Sequence, residues 1–221
     1  MHPYPGTLII FEGTEGSGKS TCSKFAVREL IRAGYEVVKT HEPGGGDHEL
    51  RELIFSLKNS MPNIGDLEIC GFSVERTIHY LEVVIPALKK GSIVVSDRGP
   101  LSMFAYQGPG RNPGNNKMWE LIRSFNRFAT RGVEADITLF LDLPVEIGLA
   151  RVPKKKRNRF EEEGVDFHNR VRHGFCEEAR VNSHTVRINT NRGKEVVLRD
   201  VMREIHQCLE KKSEVGLQAC S

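Results

Sequence analysis

The sequence predicts an α/β fold: a five-stranded parallel sheet with a layer of helices on each side, three layers in all. Short apolar runs alternate with helix-period stretches, the pattern that parallel strands and helical crossovers leave in a chain. The runs are nearly continuous in apolar residues, as in "SIVVSD", which fits strands covered on both faces. Turn residues cluster after the carboxyl ends of the runs, where open parallel sheets bind ligands.

The elements follow in order. "TLIIFE", Thr7–Glu12, is a short apolar run and reads as the first strand. Lys19–Ala33 carries Cys22, Ala26 and Leu30 at helical spacing and stops at Gly34. "EVVKT", Glu36–Thr40, is the second strand. His48–Leu57 repeats Leu50, Ile54 and Leu57 on one helical face. Leu67–Lys90 is a long helical stretch that ends at Gly91, and Ser92–Asp97 is the third strand. Lys117–Arg131 places Met118, Leu121, Ile122 and Phe125 on one face and stops before Gly132. Asp136–Asp142 is the fourth strand, followed by a helix over Val145–Arg151 that starts behind Pro144. Val165–Val181 repeats Phe167, Val171 and Phe175 every four residues. Thr185–Asn189 is a weaker fifth strand, and Val196–Lys211 closes the pattern as a helix. The charged segment "PKKKRNRFEEEG", Pro153–Gly164, reads as a solvated loop or, beside a site worth covering, as a mobile lid over about 151–164. Residues 1–212 are expected to form one domain, and 213–221 a flexible tail.

Composition narrows the class. The 221 residues are 38% hydrophobic and 28% charged, ordinary for a globular protein. Net charge is +3, from 32 basic and 29 acidic residues, which argues against a dedicated nucleic-acid binder. Five scattered cysteines, Cys22, Cys70, Cys176, Cys208 and Cys220, form no C-x-x-C pair and suggest neither a zinc site nor a disulfide framework. No apolar run approaches the ~18 residues of a membrane span. The expectation is a soluble cytoplasmic protein without stable nucleic-acid or membrane binding.

The sharpest motif follows the first strand. Gly13-Thr14-Glu15-Gly16-Ser17-Gly18-Lys19-Ser20, with Thr21 behind it, fits G-x-x-x-x-G-K-[ST] between a strand and a helix, as a P-loop NTPase fold requires. Glycines let backbone N–H groups face phosphate oxygens, and the helix amino terminus adds partial positive charge. Lys19 supplies charge near the β- and γ-phosphates of a nucleoside triphosphate, and Ser20 a hydroxyl for Mg²⁺.

A phosphate loop does not name its acceptor. No guanine-reading N-K-x-D follows, and the third strand ends in Ser96-Asp97-Arg98 rather than in an acidic pair. Asp97 suits the metal's water shell, and Arg98 suits a bidentate grip on a second phosphate. An isolated Asp-Arg is otherwise a surface ion pair. Phe72 and Arg76 stand four apart on one helix face, and taken alone they read as a packed aromatic beside a solvated arginine.

Four segments resemble the thymidylate kinase family. "FEGTEGSGKST" is similar to that family's phosphate loop, "HEPGGG" at 41–46 to its R-E-P-G-G-T loop, and "DRGPLSMFAYQGPGR" at 97–111 to its D-R-[YH]-x-x-S-x-x-A-Y-Q-G-x-G-R. "NRFEEEGVDFHNRVR" at 158–172 is similar to its lid and following helix. The likeness runs from about Leu8 to Arg180, and the S-x-x-A-Y-Q-G element, Ser102–Gly108, is its most diagnostic part.

The resemblance implies transfer of the ATP γ-phosphate to dTMP, with Mg²⁺ held near Ser20 and Asp97, by a homodimer. Lys19, Arg98, Glu15, Arg151 and Arg159 are the implied catalytic groups. Glu15, His41, Pro43, Phe72, Arg76, Arg98, Ser102, Tyr106 and Gln107 are the implied acceptor contacts, within a region of about 41–110. The phosphate loop carries no arginine, while Arg151, Arg157 and Arg159 stand in or beside the lid, which resembles the bacterial-type class. Three positions depart from the family pattern: His41 for arginine, Gly99 for an aromatic or His, and Asn158 for Asp. They leave a kinase for dUMP or a modified pyrimidine as the alternative. A non-catalytic ATP-binding module associated with DNA is a more distant one.

Overall fold

A computed structural model describes residues 2–45, 48–57, 61, 64–153 and 160–218. Its centre is one parallel sheet in the order β2-β3-β1-β4-β5, with β1 Thr7–Glu12, β2 Val37–His41, β3 Ile93–Asp97, β4 Ile137–Asp142 and β5 Thr185–Asn189. All five lie within about one residue of the ranges the apolar runs predict. In register, Phe11 stands beside Asp97 on one side and Leu139 on the other. The end of β1 therefore opens between the ends of β3 and β4, at the switch point of the sheet.

Alternating residues of the strands feed two cores. Ile9, Phe11, Val95, Leu139 and Leu141 pack against α1 (Lys19–Arg32) and α9 (Lys194–Gln218). On the other face Leu8, Ile10 and Val94 meet Tyr80, Val84 and Leu88 of a long helix, and Phe140 meets Phe167, Val171 and Phe175 of α8 (Val165–Val181). Helix α2 (His48–Ser56) stands apart from the sheet, against the long helix. Burial of the sheet on both faces explains why its strands read as continuous apolar runs.

Three features depart from the sequence expectations. The long helix is α3 (Ile64–His79), a π turn over Tyr80–Val84, and α4 (Ile85–Lys89). Pro86 removes one N–H and crowds the carbonyl four residues back, which the wider turn relieves. Second, the segment after "DRG" is helical: α5 (Pro100–Ala105) runs into a π turn over Tyr106–Gly110 that houses Pro109. There Arg111 N–H reaches back five residues to the Tyr106 carbonyl at 2.9 Å. Helix α6 (Asn116–Ala129) is capped by the Asn115 side chain, which accepts from Met118 N–H, and α7 (Val145–Arg151) follows β4. Helix α9 continues to Gln218, past the expected end at Lys211, because no proline intervenes.

Candidate active site

The phosphate loop joins β1 to α1. Gly13, Gly16 and Gly18 hold φ values of 146°, 67° and 97°, left-handed conformations that side-chained residues rarely adopt. Lys19 Nζ donates to the carbonyl oxygens of Gly13 at 2.9 Å and Thr14 at 2.7 Å. Burial pushes its pKa down to about 8, with Arg98 adding to the effect and Glu15, Asp97 and Glu12 opposing it. Ser17 Oγ donates to the Thr14 carbonyl at 2.8 Å, and Thr21 N–H to that of Gly18 at 3.1 Å.

Ser20 Oγ donates to Asp97 Oδ2 at 2.6 Å, so the loop hydroxyl and the carboxylate ending β3 stand together. A hydroxyl and a carboxylate beside a phosphate cradle fit the all-oxygen set of Mg²⁺, which takes few protein ligands and fills the rest with phosphate and water.

A cleft opens beside the loop. One end is polar. Arg98 Nη2 donates to Glu15 Oε1 at 2.9 Å, and its Nη1 to Ser102 Oγ at 3.0 Å and the Gly13 carbonyl at 3.3 Å. Tyr106 O–H donates to Glu15 at 2.5–2.6 Å. Burial alone would raise the pKa of Glu15, but Arg98, Lys19, the Tyr106 hydroxyl and His168 together hold it below the usual carboxylate range. The His168 imidazole, buried on α8, lies 3.7 Å from Glu15. Arg98 has φ 76°, unusual for a side-chained residue. Its N–H on Phe11 O at 2.8 Å and its carbonyl under Ser96 Oγ at 2.7 Å hold that bend.

The other end is shaped for something flat. Phe72, Phe55, Phe160, Met103 and Tyr106 line it together with Arg76 and Gln107. Phe160 sits among the other rings, with centroids 5.7 Å from Phe55, 5.8 Å from Tyr106 and 6.2 Å from Phe72. Arg76 is buried and engaged within the protein: Nε and Nη2 on Glu42 at 2.7 Å, Nη1 on Asn126 at 2.6 Å, and Nη2 also on the Gly99 carbonyl at 3.3 Å. Gln107 Nε2 donates to Glu68 at 2.7 Å.

The fold thus gathers Glu15, Pro43, Phe72, Arg76, Arg98, Ser102, Tyr106 and Gln107 around one cleft. His41 is not in its lining. It is exposed, with its ring nitrogen 3.1 Å from the Pro43 carbonyl. Arg151, at the end of α7, donates to the Gly16 carbonyl at 3.2 Å. Arg157, Asn158 and Arg159 lie outside the described residues.

Sequence reasoning missed several buried carboxylates, among them Glu12, Glu42 and Glu68. Glu12 accepts from Ser102 N–H at 2.9 Å and from its hydroxyl at 2.5 Å. Burial raises its pKa to about 7 against those bonds and Arg98. Glu42 accepts from Arg76 and lies 3.1 Å from His79 Nδ1. Glu68, on α3, holds Gln107 and Arg111. For Glu68 a signal existed: positions 68, 72 and 76 recur every four residues on one helix face.

A phosphate loop at the switch point of a parallel sheet, opening onto a second cleft with its own arginine and aromatic wall, defines a P-loop kinase that acts on a small second substrate. The thymidylate kinase family profile matches residues 11–201. Thymidylate kinase of Carboxydothermus hydrogenoformans is 41% identical over 178 residues, 79% of this chain and 85% of that one. That of Trichodesmium erythraeum is 37% identical over 92% of this chain and 96% of its own length. A crystal structure of thymidylate kinase from Ehrlichia chaffeensis superposes with a TM-score of 0.71 at 28% identity, over 90% of this chain and 98% of that one. The chain belongs to the thymidylate kinase family and is a phosphotransferase.

Proposed function

We propose that the chain transfers the γ-phosphate of ATP to dTMP, giving dTDP and ADP. The observation that carries this reading is one cleft lined at one end by Arg98 and Glu15, against the phosphate loop, and at the other by Phe72, Arg76 and Gln107. That spacing suits a nucleotide whose phosphate points at the donor and whose base lies between rings. An anionic phosphate oxygen of dTMP attacks the γ-phosphorus in line. It is already charged, so the site needs no strong base. Arg98 grips the acceptor phosphate, while Lys19, Arg151 and Arg159 offset charge on the transferring group. Glu15, fixed by Tyr106, faces the acceptor's sugar, Phe72 stacks on thymine, and Gln107 reads its edge. To bond the base as well, Arg76 shares the long contact it now makes with Gly99. Ser20, with Asp97 close by, would hold Mg²⁺, which when bound would offset negative charge on the donor phosphates.

ADP formation with MgATP against a panel of nucleoside monophosphates tests the reading, and dTMP is expected to give the highest kcat/KM. If dTMP yields no more ADP than water while another monophosphate does, the reading fails. The rival reading as a DNA-associated ATP-binding module draws no support from the relatives.

Assembly and compartment belong to the same reading. Leu67, Val74 and Leu81 recur every seven residues along the long helix, and Leu121 and Phe128 along the adjoining α6, all of them exposed. A second copy of the chain covers this apolar face, making a homodimer. Val74→Glu is expected to halve the mass measured by light scattering. No helix of the described residues is long and apolar enough to cross a membrane, and Cys22, Cys70, Cys176 and Cys208 are free thiols, as suits a reducing cytoplasm.

A further inference from the structure

We infer that Glu68 is a specificity-positioning residue: it fixes the orientation of the Gln107 amide, so that the acceptor site selects a base carrying a ring N–H over one carrying a lone pair there. The inference rests on the reading that the base lies in the cleft beside Phe72. A glutamine amide presents a donor or an acceptor depending on which way it turns. A free glutamine therefore accommodates thymine or uracil, whose N3 carries a proton, and cytosine, whose N3 does not.

Here the amide is not free to turn. Glu68 is fully buried and outside the lining of the cleft. It accepts from Gln107 Nε2 at 2.7 Å and from Arg111 Nη2 at 3.0 Å and Nε at 3.3 Å. A carboxylate paired with arginine only accepts, so the amide nitrogen must face it. Arg111 is itself pinned by Glu163 and by the Phe167 ring, 4.9 Å from its guanidinium carbon. The Gln107 main chain is held too, its carbonyl accepting from Asn112 Nδ2 at 2.7 Å. With the nitrogen turned onto Glu68, the atom left for a base is the amide oxygen, which accepts no hydrogen bond among the described residues. An oxygen facing cytosine N3 sets two lone pairs against each other, and an unpaired buried polar edge is what makes such sites discriminate strongly.

Glu68→Gln tests this. Arg111 keeps an oxygen at its shorter contact, Nη2 to Oε1 at 3.0 Å, and gives up the longer one from Nε, which shares Oε2 with Gln107. The new NH₂ then faces Gln107 and turns that amide over, so its nitrogen reaches the cleft. The ratio of kcat/KM for dTMP to that for dCMP is expected to fall at least tenfold. The same change in a Gln107→Met background is expected to move the ratio less than twofold. Equal losses for both acceptors in Glu68→Gln would make Glu68 a packing residue and overturn the inference, as would an equal ratio change in the Gln107→Met background. In the wild type, the Gln107 side-chain amide protons, assigned by their loss in Gln107→Met, are expected to exchange slowly with solvent. Exchange as fast as in a surface glutamine would also overturn it. Failure of wild-type turnover with dTMP would instead refute the underlying reading of the acceptor.

Discussion

Arg98 donates through Nη2 to Glu15 Oε1 at 2.9 Å, so the arginine suited to an acceptor phosphate rests on the acid of the phosphate loop. The pair couples the two halves of the site: Glu15 belongs to the donor loop, Arg98 to the strand end facing the acceptor. Arg98→Ala is expected to lower kcat/KM for dTMP by roughly 10²–10³-fold, the usual loss when one charge-stabilising donor is removed. Only the long Arg98 contact to the Gly13 carbonyl is lost from the loop, and Lys19 keeps its bonds to Gly13 and Thr14, so the ATP dissociation constant should change by less than about twofold. Steady-state kinetics with isothermal titration of ATP checks both halves. Unchanged acceptor turnover would refute the role.

Lys19 carries a pH signature. With its pKa pushed down to about 8 by burial, part of the ligand-free chain has a neutral lysine at alkaline pH. Triphosphate brings negative charge to Nζ and raises that pKa, so binding takes up a proton. ATP affinity should therefore weaken as pH climbs above about 8, at most tenfold per pH unit. Titrations at pH 8.5 in buffers of different ionisation enthalpy should reveal net proton uptake. Lys19→Arg, charged throughout, should show none.

Glu12 shapes stability rather than binding. In the folded chain its pKa rises to about 7 from an ordinary 4.5, mainly through burial. Between those values the folded state holds a proton that the unfolded chain has lost. This contribution to stability is complete below about pH 4.5, declines as pH rises, and is gone above about pH 7. Glu12→Gln keeps the shape without the charge. It should match the wild type near pH 4.5 and exceed it by about 3 kcal/mol at pH 8. Urea unfolding of both proteins across that range measures the difference. A gap independent of pH would contradict the assignment.

The sheet and most helices were legible because burial on two faces and 3.6-residue periodicity leave plain marks in a sequence. The stretch from Gly99 to Gly110 was not. Its two prolines and three glycines read as loop punctuation, yet Pro100 starts a helix and Pro109 sits in a widened turn. The same physics hid the π turn before Pro86. Within the site, Lys19, Ser20, Asp97 and Arg98 were legible because phosphate chemistry dictates their types and spacing. Glu12, Glu42 and Glu68 were not, since a buried carboxylate takes its meaning from partners that only the fold brings near: Ser102, Arg76 and Gln107 respectively. His41 shows the converse, a motif position whose side chain turns away from the cleft.

Gly148 tests how α7 is tied to the phosphate loop. A Cβ on Gly148 would lie 2.3 Å from the Glu15 carbonyl oxygen, and one on Gly16 would lie 2.2 Å from the Gly148 carbonyl oxygen. The helix backbone thus rests directly on the loop, and Arg151, one turn further along, reaches the Gly16 carbonyl from there. Gly148→Ala must push helix and loop apart, an overpacking that costs about 1–3 kcal/mol. For a chain of this size that lowers Tm by roughly 2–10 °C. KM for ATP should rise roughly tenfold, because Arg151 and the Glu15 main chain move together. If Arg151 acts through this contact, Arg151→Ala should weaken ATP use in the wild type and add little in the Gly148→Ala background. Gly193→Ala, where a Cβ meets nothing within 4 Å, serves as the control and should leave Tm and KM unchanged. Full additivity of the Gly148 and Arg151 effects would mean that α7 delivers its arginine independently of the loop beneath it.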